Sequence, residues 1–328
     1  MSPQRTARVA HASPGTPSMS DFRQLPNLAS RALAASVVYA NDELFAEREN
    51  LIKPEPAVFS TEDFGHKGKM YDGWETRRRR EPGHDFAIVR LGVPGVVQGV
   101  VIDTAWFKGN YPPDASVEGA VVEGYPSTDE LLEADWVTLV PCAPINGDAE
   151  NAFDVSSDLR VSHVRLSIYP DGGVARFRVH GEPRPDPALL TGTIDLAAAE
   201  NGGRVVDCSD MFYSSPNNLL LPGRARTMGD GWENARRRDE GNDHVTVRLA
   251  GRGVVRRVEI DTSYFVGNAP GWASLTGDDG VVLVPRTRLQ PDTRHFFVVS
   301  AAEPVSQVRL DVFPDGGLAR LRVWGELV

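Results

Sequence analysis

Apolar and polar residues alternate in this chain over short runs, and glycine, proline and aspartate interrupt them. Phe86-Ala87-Ile88-Val89-Arg90-Leu91 and His244-Val245-Thr246-Val247-Arg248-Leu249 are rich in the branched side chains that suit half-buried strands. In Val258-Glu259-Ile260-Asp261 the period of two turns Val258 and Ile260 inward and Glu259 and Asp261 outward. Residues 164–179 and 308–323 read as hairpins. Alternating apolar residues flank Pro170-Asp171-Gly172-Gly173 and Pro314-Asp315-Gly316-Gly317, and Asp-Gly-Gly supplies the positive backbone angles of a tight turn. Helical periodicity is scarce. Ser127 and Glu130 have the spacing of a capping box and predict a short helix over 128–133, ahead of the apolar run 137–140. Short strands separated by turn residues predict an all-β antiparallel sandwich or jelly roll.

The pattern is written twice. Asp72-Gly73-Trp74-Glu75 with Arg78-Arg79-Arg80 and Asp85 returns as Asp230-Gly231-Trp232-Glu233 with Arg236-Arg237-Arg238 and Asp243, at a constant offset of 158. The offset holds through Ile102-Asp103-Thr104/Ile260-Asp261-Thr262 and Gly109-Asn110/Gly267-Asn268 to Pro112/Pro270, with 23 identities over 41 positions. Upstream the offset is 168, Asn27-Leu28-Ala29 matching Asp195-Leu196-Ala197, which places ten extra residues between Ile52 and Tyr71 of the first unit. At the closing hairpins it is 144, so the second unit lacks fourteen residues between Pro112 and Pro170. A repeat of this length makes each unit a domain. Residues 1–24 read as a disordered tail, 25–187 as the first sandwich and 188–328 as the second, joined by a stiff proline-rich linker beginning at Gly181.

Composition narrows the partners. A chain of 328 residues, 41% hydrophobic, has material for two cores. A net charge of -10 argues against a grip on the phosphates of nucleic acid. No stretch reaches the length of a membrane span and the N-terminal residues lack the apolar core of a secretory signal. The two cysteines, Cys142 and Cys208, are not repeated and form no disulfide framework, which fits a reducing cytoplasm.

The polar residues that recur are the candidates for chemistry. Trp74 and Trp232 either pack, with the indole N–H on a backbone carbonyl, or wall a site. Arg78, Arg80 and Arg237 belong to arginine runs that are either a charged edge or a pocket gripping a carboxylate through the guanidinium fork. Asp72/Asp230, Glu75/Glu233, Asp85/Asp243 and Asp103/Asp261 are ion-pair partners or site carboxylates, and Asp103 and Asp261 are equally placed to cap the following turn. Asn110 and Asn268 are turn residues or ligand-binding amides. Arg176 and Arg320 alternate with Arg178 and Arg322 and share a face that meets either solvent or a ligand groove. His84 stands where the second copy has Asn242, so proton transfer confined to one copy belongs to the first. HExxH, paired CxxC, P-loop, GxGxxG and GxSxG motifs are absent, and a divalent metal on His84 with carboxylates is left open by nonspecific spacing.

The ordered run of these motifs, with Glu47-Arg48-Glu49-Asn50-Leu51-Ile52-Lys53-Pro54 and both Pro-Asp-Gly-Gly hairpins, closely resembles the allantoicase (allantoate amidinohydrolase) family from about Leu25 to the C-terminus. The resemblance implies two tandem jelly-roll, galactose-binding-like sandwiches in a homo-oligomer that hydrolyses allantoate to ureidoglycolate and urea. Allantoate carries one carboxylate and two ureido groups on one carbon. Arginine forks suit its carboxylate, and Asp, Glu and Asn suit the ureido groups. His84 or Glu75 is then the expected proton-transfer group, with Asp103 orienting. The rival reading is a non-catalytic tandem module that binds a small anionic or carbohydrate ligand.

Overall fold

The structure is a computed structural model and describes residues 21–328. The first repeat contains β1 (Ser36–Ala40), β2 (Asp85–Asp103), β3 (Asp114–Ala120), β4 (Val137–Pro144), β5 (Glu150–Asp154), β6 (Arg160–Tyr169) and β7 (Arg176–Pro183). The second contains β8 (Arg204–Cys208), β9 (Asp243–Asp261), β10 (Trp272–Gly277), β11 (Val282–Arg288), β12 (Arg294–Val298), β13 (Val305–Phe313) and β14 (Arg320–Leu327). Both copies share one topology. Strands run in the order β1-β2-β6-β3-β4, while β5 and β7 also pair with β2; β8, β9, β13, β10 and β11 repeat that order, with β12 and β14 on β9.

The 19-residue strand β2 organises the repeat. Its first half pairs with β1 and β6, Asp85 facing Ile168; its second half pairs with β7 and β5, Asp103 facing Arg176 and Glu150. The register against β6 breaks between Arg90 and Gly95; Gly95 and Val96 still pair with β6 and also begin the pairing with β7. Both of its ends therefore return to the turn that joins β6 to β7. The inward side chains of the two sets, among them Val89, Ile102, Leu166 and Phe177, are fully buried, as the alternation requires.

Several local expectations are met in the structure. The Ser127–Glu130 capping box is formed on both sides and starts the helix Thr128–Leu132. In the second repeat only the 3-10 turn Asp278–Gly280 lies between β10 and β11, which accounts for most of the shorter chain there. The inserted segment of the first repeat contains a small hairpin, Phe64–Gly65 against Gly68–Lys69. Three expectations are corrected. Glu259 and Asp261 do not face solvent, since β9 is flanked by β12 and β14 and Arg294 closes on the Glu259 carboxylate. Gly181–Pro183 is the end of β7, paired with Gly95–Val97, so the linker begins later. Residues 1–20 lie outside the described residues, but Phe22–Gln24 is a 3-10 turn whose Phe22 ring fills the space beside Gly99 and packs on His180.

Candidate active site

Four segments meet where the two ends of β2 converge. Trp74–Glu75 pairs with Gly173–Val174, Gly173 N–H donates to Asn110 O (2.7 Å), and Ala175 N–H donates to Asp103 O (2.8 Å). The Phe107 ring is wedged among them, and a Cβ on Gly173 would lie 2.1 Å from it. Trp74 is closed to solvent, its Nε1–H donating to Asp42 O (2.7 Å), and Trp232 does the same with Asp210 O (2.9 Å). With the indole turned into the core, the next side chain on the strand turns the other way. That side chain is Glu75, half-buried, whose Oε1 accepts from Asn110 Nδ2 at 2.8 Å; Asn268 and Glu233 repeat the bond at 2.7 Å. Burial pushes the Glu75 carboxyl above its ordinary range, against the pull of the Asn110 amide.

The arginine run divides by alternation. Arg79 turns to Asp85 (2.8 Å) and its backbone N–H donates to Asp171 Oδ2 (2.7 Å); Arg237 repeats both contacts with Asp243 (2.7 Å) and Asp315 (2.6 Å). These bonds pin the run to the start of the long strand and to the hairpin. Arg78 and Arg80, and likewise Arg236 and Arg238, are exposed and make no ion pair or hydrogen bond among the described residues. In the second repeat Glu233, Asn268, Arg236, Arg238 and Asp315 line one cavity of about 670 Å³. In the first repeat the inserted segment leans on the corresponding end. Trp106 Nε1–H donates to Ala57 O (3.0 Å), Phe59 stacks on Trp106, and Tyr71 stacks on Phe107.

Other residues singled out from the sequence sit elsewhere. Arg176 is fully buried, with Nη2 on Asp72 (2.6 Å) and Nη1 on the carbonyls of Asp72 (2.9 Å) and Ala175 (2.7 Å). Asp72 also takes Lys53 (2.9 Å), and these contacts together hold its carboxyl below the usual range although burial acts the other way. Asp230 pairs with Arg226 (3.1 Å), and buried Arg320 donates to the Asp230 carbonyl (2.7 Å). Arg178 and Arg322 clamp loop carbonyls, Lys53 O and Gly223 O among them, and not open solvent. Asp103 and Asp261 cap their turns, accepting from Ala105 N–H and Ser263 N–H at 2.8 Å each. His84 faces a different cavity, about 460 Å³, with Glu118, Cys142, Arg165 and Tyr169. Its ring lies on Tyr169 (4.6 Å), and burial with Arg165 and Arg79 nearby lowers its pKa. Asn242, its counterpart, donates to Asp311 (3.0 Å). No group of three or more His, Cys, Asp or Glu able to hold a metal occurs among the described residues. Asp171 and Asp315 were legible only as turn residues, although the retention of the whole Pro-Asp-Gly-Gly in both copies was the available signal.

Fold and site together define a tandem β-sandwich protein. In each repeat an asparagine amide holds a half-buried glutamate. In the second repeat that pair shares a cleft with the unpaired guanidiniums of Arg236 and Arg238, a design suited to a small anion, while Arg78 and Arg80 of the first repeat line a cavity with Asn41, Asp42 and Asp85. The model of the allantoicase repeat matches residues 26–184 and 194–328. A probable allantoicase of Nocardia farcinica is 59% identical over 314 residues, covering 93% of this chain and 95% of that protein. One of Streptomyces coelicolor is 54% identical over 325 residues, covering 93% and 86%. The crystal structure of Saccharomyces cerevisiae allantoicase superposes with a TM-score of 0.81 at 34% identity, covering 95% of this chain and 99% of that one. The chain belongs to the allantoicase family, hydrolases acting on a carbon–nitrogen bond.

Proposed function

We propose that the chain hydrolyses allantoate to ureidoglycolate and urea, with the reaction centred on Glu75 in the first repeat. The observation that carries this reading is the half-buried Glu75 carboxyl, raised in pKa and held on one oxygen by Asn110. Arg78 and Arg80, free of internal partners, take the substrate carboxylate. Asn110 fixes Oε1, which leaves Oε2 to carry a proton. That proton passes to the nitrogen of the departing urea as the carbon–nitrogen bond breaks. Water supplies the new hydroxyl at the same carbon, and its proton returns to Glu75, so one water is consumed and the carboxyl is regenerated.

Trp74, Asp72, Arg176, Asp85 and Asp103 serve this centre as braces: each is committed to a partner within the fold and holds a segment that carries a reacting group. The substrate is a small molecule; the charge gives nucleic acid no purchase, and no helix among the described residues is long and apolar enough to cross a membrane. Location in the cytoplasm and assembly as a homo-oligomer accompany this reading, and light scattering on the purified chain checks the second. A urea-release assay with allantoate, run with and without chelator, tests the activity. No urea under either condition would put the non-catalytic binding module in its place.

A further inference from the structure

A cleft of about 710 Å³ lies between the two repeats, and its lining carries four arginines against two carboxylates. Both carboxylates, Glu55 and Asp230, are engaged by Arg226 (2.9 and 3.1 Å), and Arg31 turns to Glu49. Arg224 and Arg320 remain. Arg224 is exposed and makes no hydrogen bond or ion pair among the described residues. Arg320 is only 5% exposed. Its Nε and Nη1 donate to the carbonyls of Gly223 (3.2 Å), Asp230 (2.7 Å) and Ala319 (2.7 Å), while Nη2 has no partner among the described residues. Burial, with Arg322 beside it, lowers its pKa to about 10 against the pull of the Asp230 and Asp261 carboxylates, which are engaged by Arg226 and by Ser263 N–H and do not bond to Arg320.

The first repeat shows what such a guanidinium takes. Arg176 Nη1 donates to the equivalent two carbonyls, of Asp72 and Ala175, and its Nη2 holds the Asp72 carboxylate at 2.6 Å. In the second repeat Arg226 draws the Asp230 carboxylate away. We propose that the cleft between the repeats binds a small carboxylate, seated on Arg320 Nη2 as Asp72 is seated on Arg176, with Arg224 holding it from the rim. A carboxylate there gains a charge-assisted bond in a largely enclosed setting, and the guanidinium gains the directly bonded carboxylate that Arg176 has and it does not. This site is separate from Glu75 and shares no residue with that centre.

Calorimetric titration of the full chain with sodium oxalate at constant ionic strength tests it, with inorganic phosphate and chloride titrated in parallel. Saturable binding is expected, tighter for oxalate than for phosphate by about tenfold. Arg224→Ala should weaken oxalate by about tenfold or more while urea release from allantoate is unchanged. Arg320→Lys, confirmed as folded by circular dichroism, should weaken it as well. Glu75→Gln should bind oxalate as the natural chain does, so failure of the reaction assignment would leave this readout intact. Absence of saturable oxalate binding, undiminished binding in Arg224→Ala, or phosphate binding as tight as oxalate would overturn the proposal. Loss of urea release in Arg224→Ala would move the reaction into the cleft and end its standing as a separate site.

Discussion

The role proposed for Glu75 comes at a cost to the fold. Its folded pKa lies above the ordinary 4.5, so the protonated form is the one folding favours. The stabilisation tied to that form is complete below 4.5 and is lost as pH rises through the folded value. Ionising this carboxyl within the fold is therefore a burden that a neutral isostere lacks. Glu75→Gln should lower the turnover number for urea release by about 10²-fold or more. Its melting temperature relative to the natural chain should rise between about pH 4 and about pH 8. A variant that keeps full turnover would remove Glu75 from the reaction. His84 offers the contrast: it faces another cavity with its pKa lowered, and His84→Asn should leave turnover within a few-fold. Asp72 has the opposite linkage sign to Glu75. Its pKa is lowered, so its contribution is present above 3.8 and disappears as pH falls through the folded value. Asp72→Asn leaves Arg176 buried without its carboxylate and should cost about 3 kcal/mol in denaturant unfolding. Asp230→Asn removes the pair with exposed Arg226, keeps an oxygen to accept from Arg226 N–H, and should cost less than Asp72→Asn, about 1 kcal/mol.

At the level of elements, the hairpin between β6 and β7 sets the position of Glu75, because Gly173 is both its strand partner and the floor beneath Phe107. Gly173→Ala puts a methyl into that ring and should cost about 1–3 kcal/mol while lowering turnover, since the strand bearing Glu75 must move with it. Unfolding and urea-release measurements on one preparation check both effects. The hairpin was legible in the sequence because Asp-Gly-Gly and the flanking alternation are local, and so was the Ser127 capping box. The Glu75–Asn110 pairing was legible only as two members of one repeat. What brings them together is the return of a 19-residue strand to its starting end, and the break at 90–95 carries no sequence mark beyond two glycines and a proline. The buried arginines were harder still. Arg176 and Arg320 donate mostly to backbone carbonyls, acceptors that every residue carries and no sequence displays, so their alternation read as a surface ready for solvent or ligand. Glu259 read as outward for a related reason, because the covering Arg294 belongs to a strand whose neighbour is fixed by topology.

In the whole molecule the two repeats share one buried apolar cluster, and Arg204–Glu182 (2.9 Å) and Asn217–Gln24 O (2.6 Å) join them at the surface. The repeats hold the same Glu–Asn bond, so that bond alone does not say which one turns over substrate. The difference lies in what surrounds it. The first repeat has the inserted segment, with Ala57, Phe59 and Tyr71 laid against Trp106 and Phe107, whereas Tyr213 and Met228 line the second repeat's cleft and Met228 Sδ accepts from Asn268 Nδ2 (3.2 Å). Excluding water from a proton donor strengthens its interaction with the leaving group and protects the proton it holds. The proposed reading accordingly centres the reaction on the first repeat, with the second keeping the architecture of the shared core. Glu233→Gln should then retain most of the urea release, Glu75→Gln should lose nearly all of it, and the double variant should match Glu75→Gln. Single variants that each retain about half, with a double variant that retains none, would instead mean two equivalent and independent centres, because independent sites contribute additively.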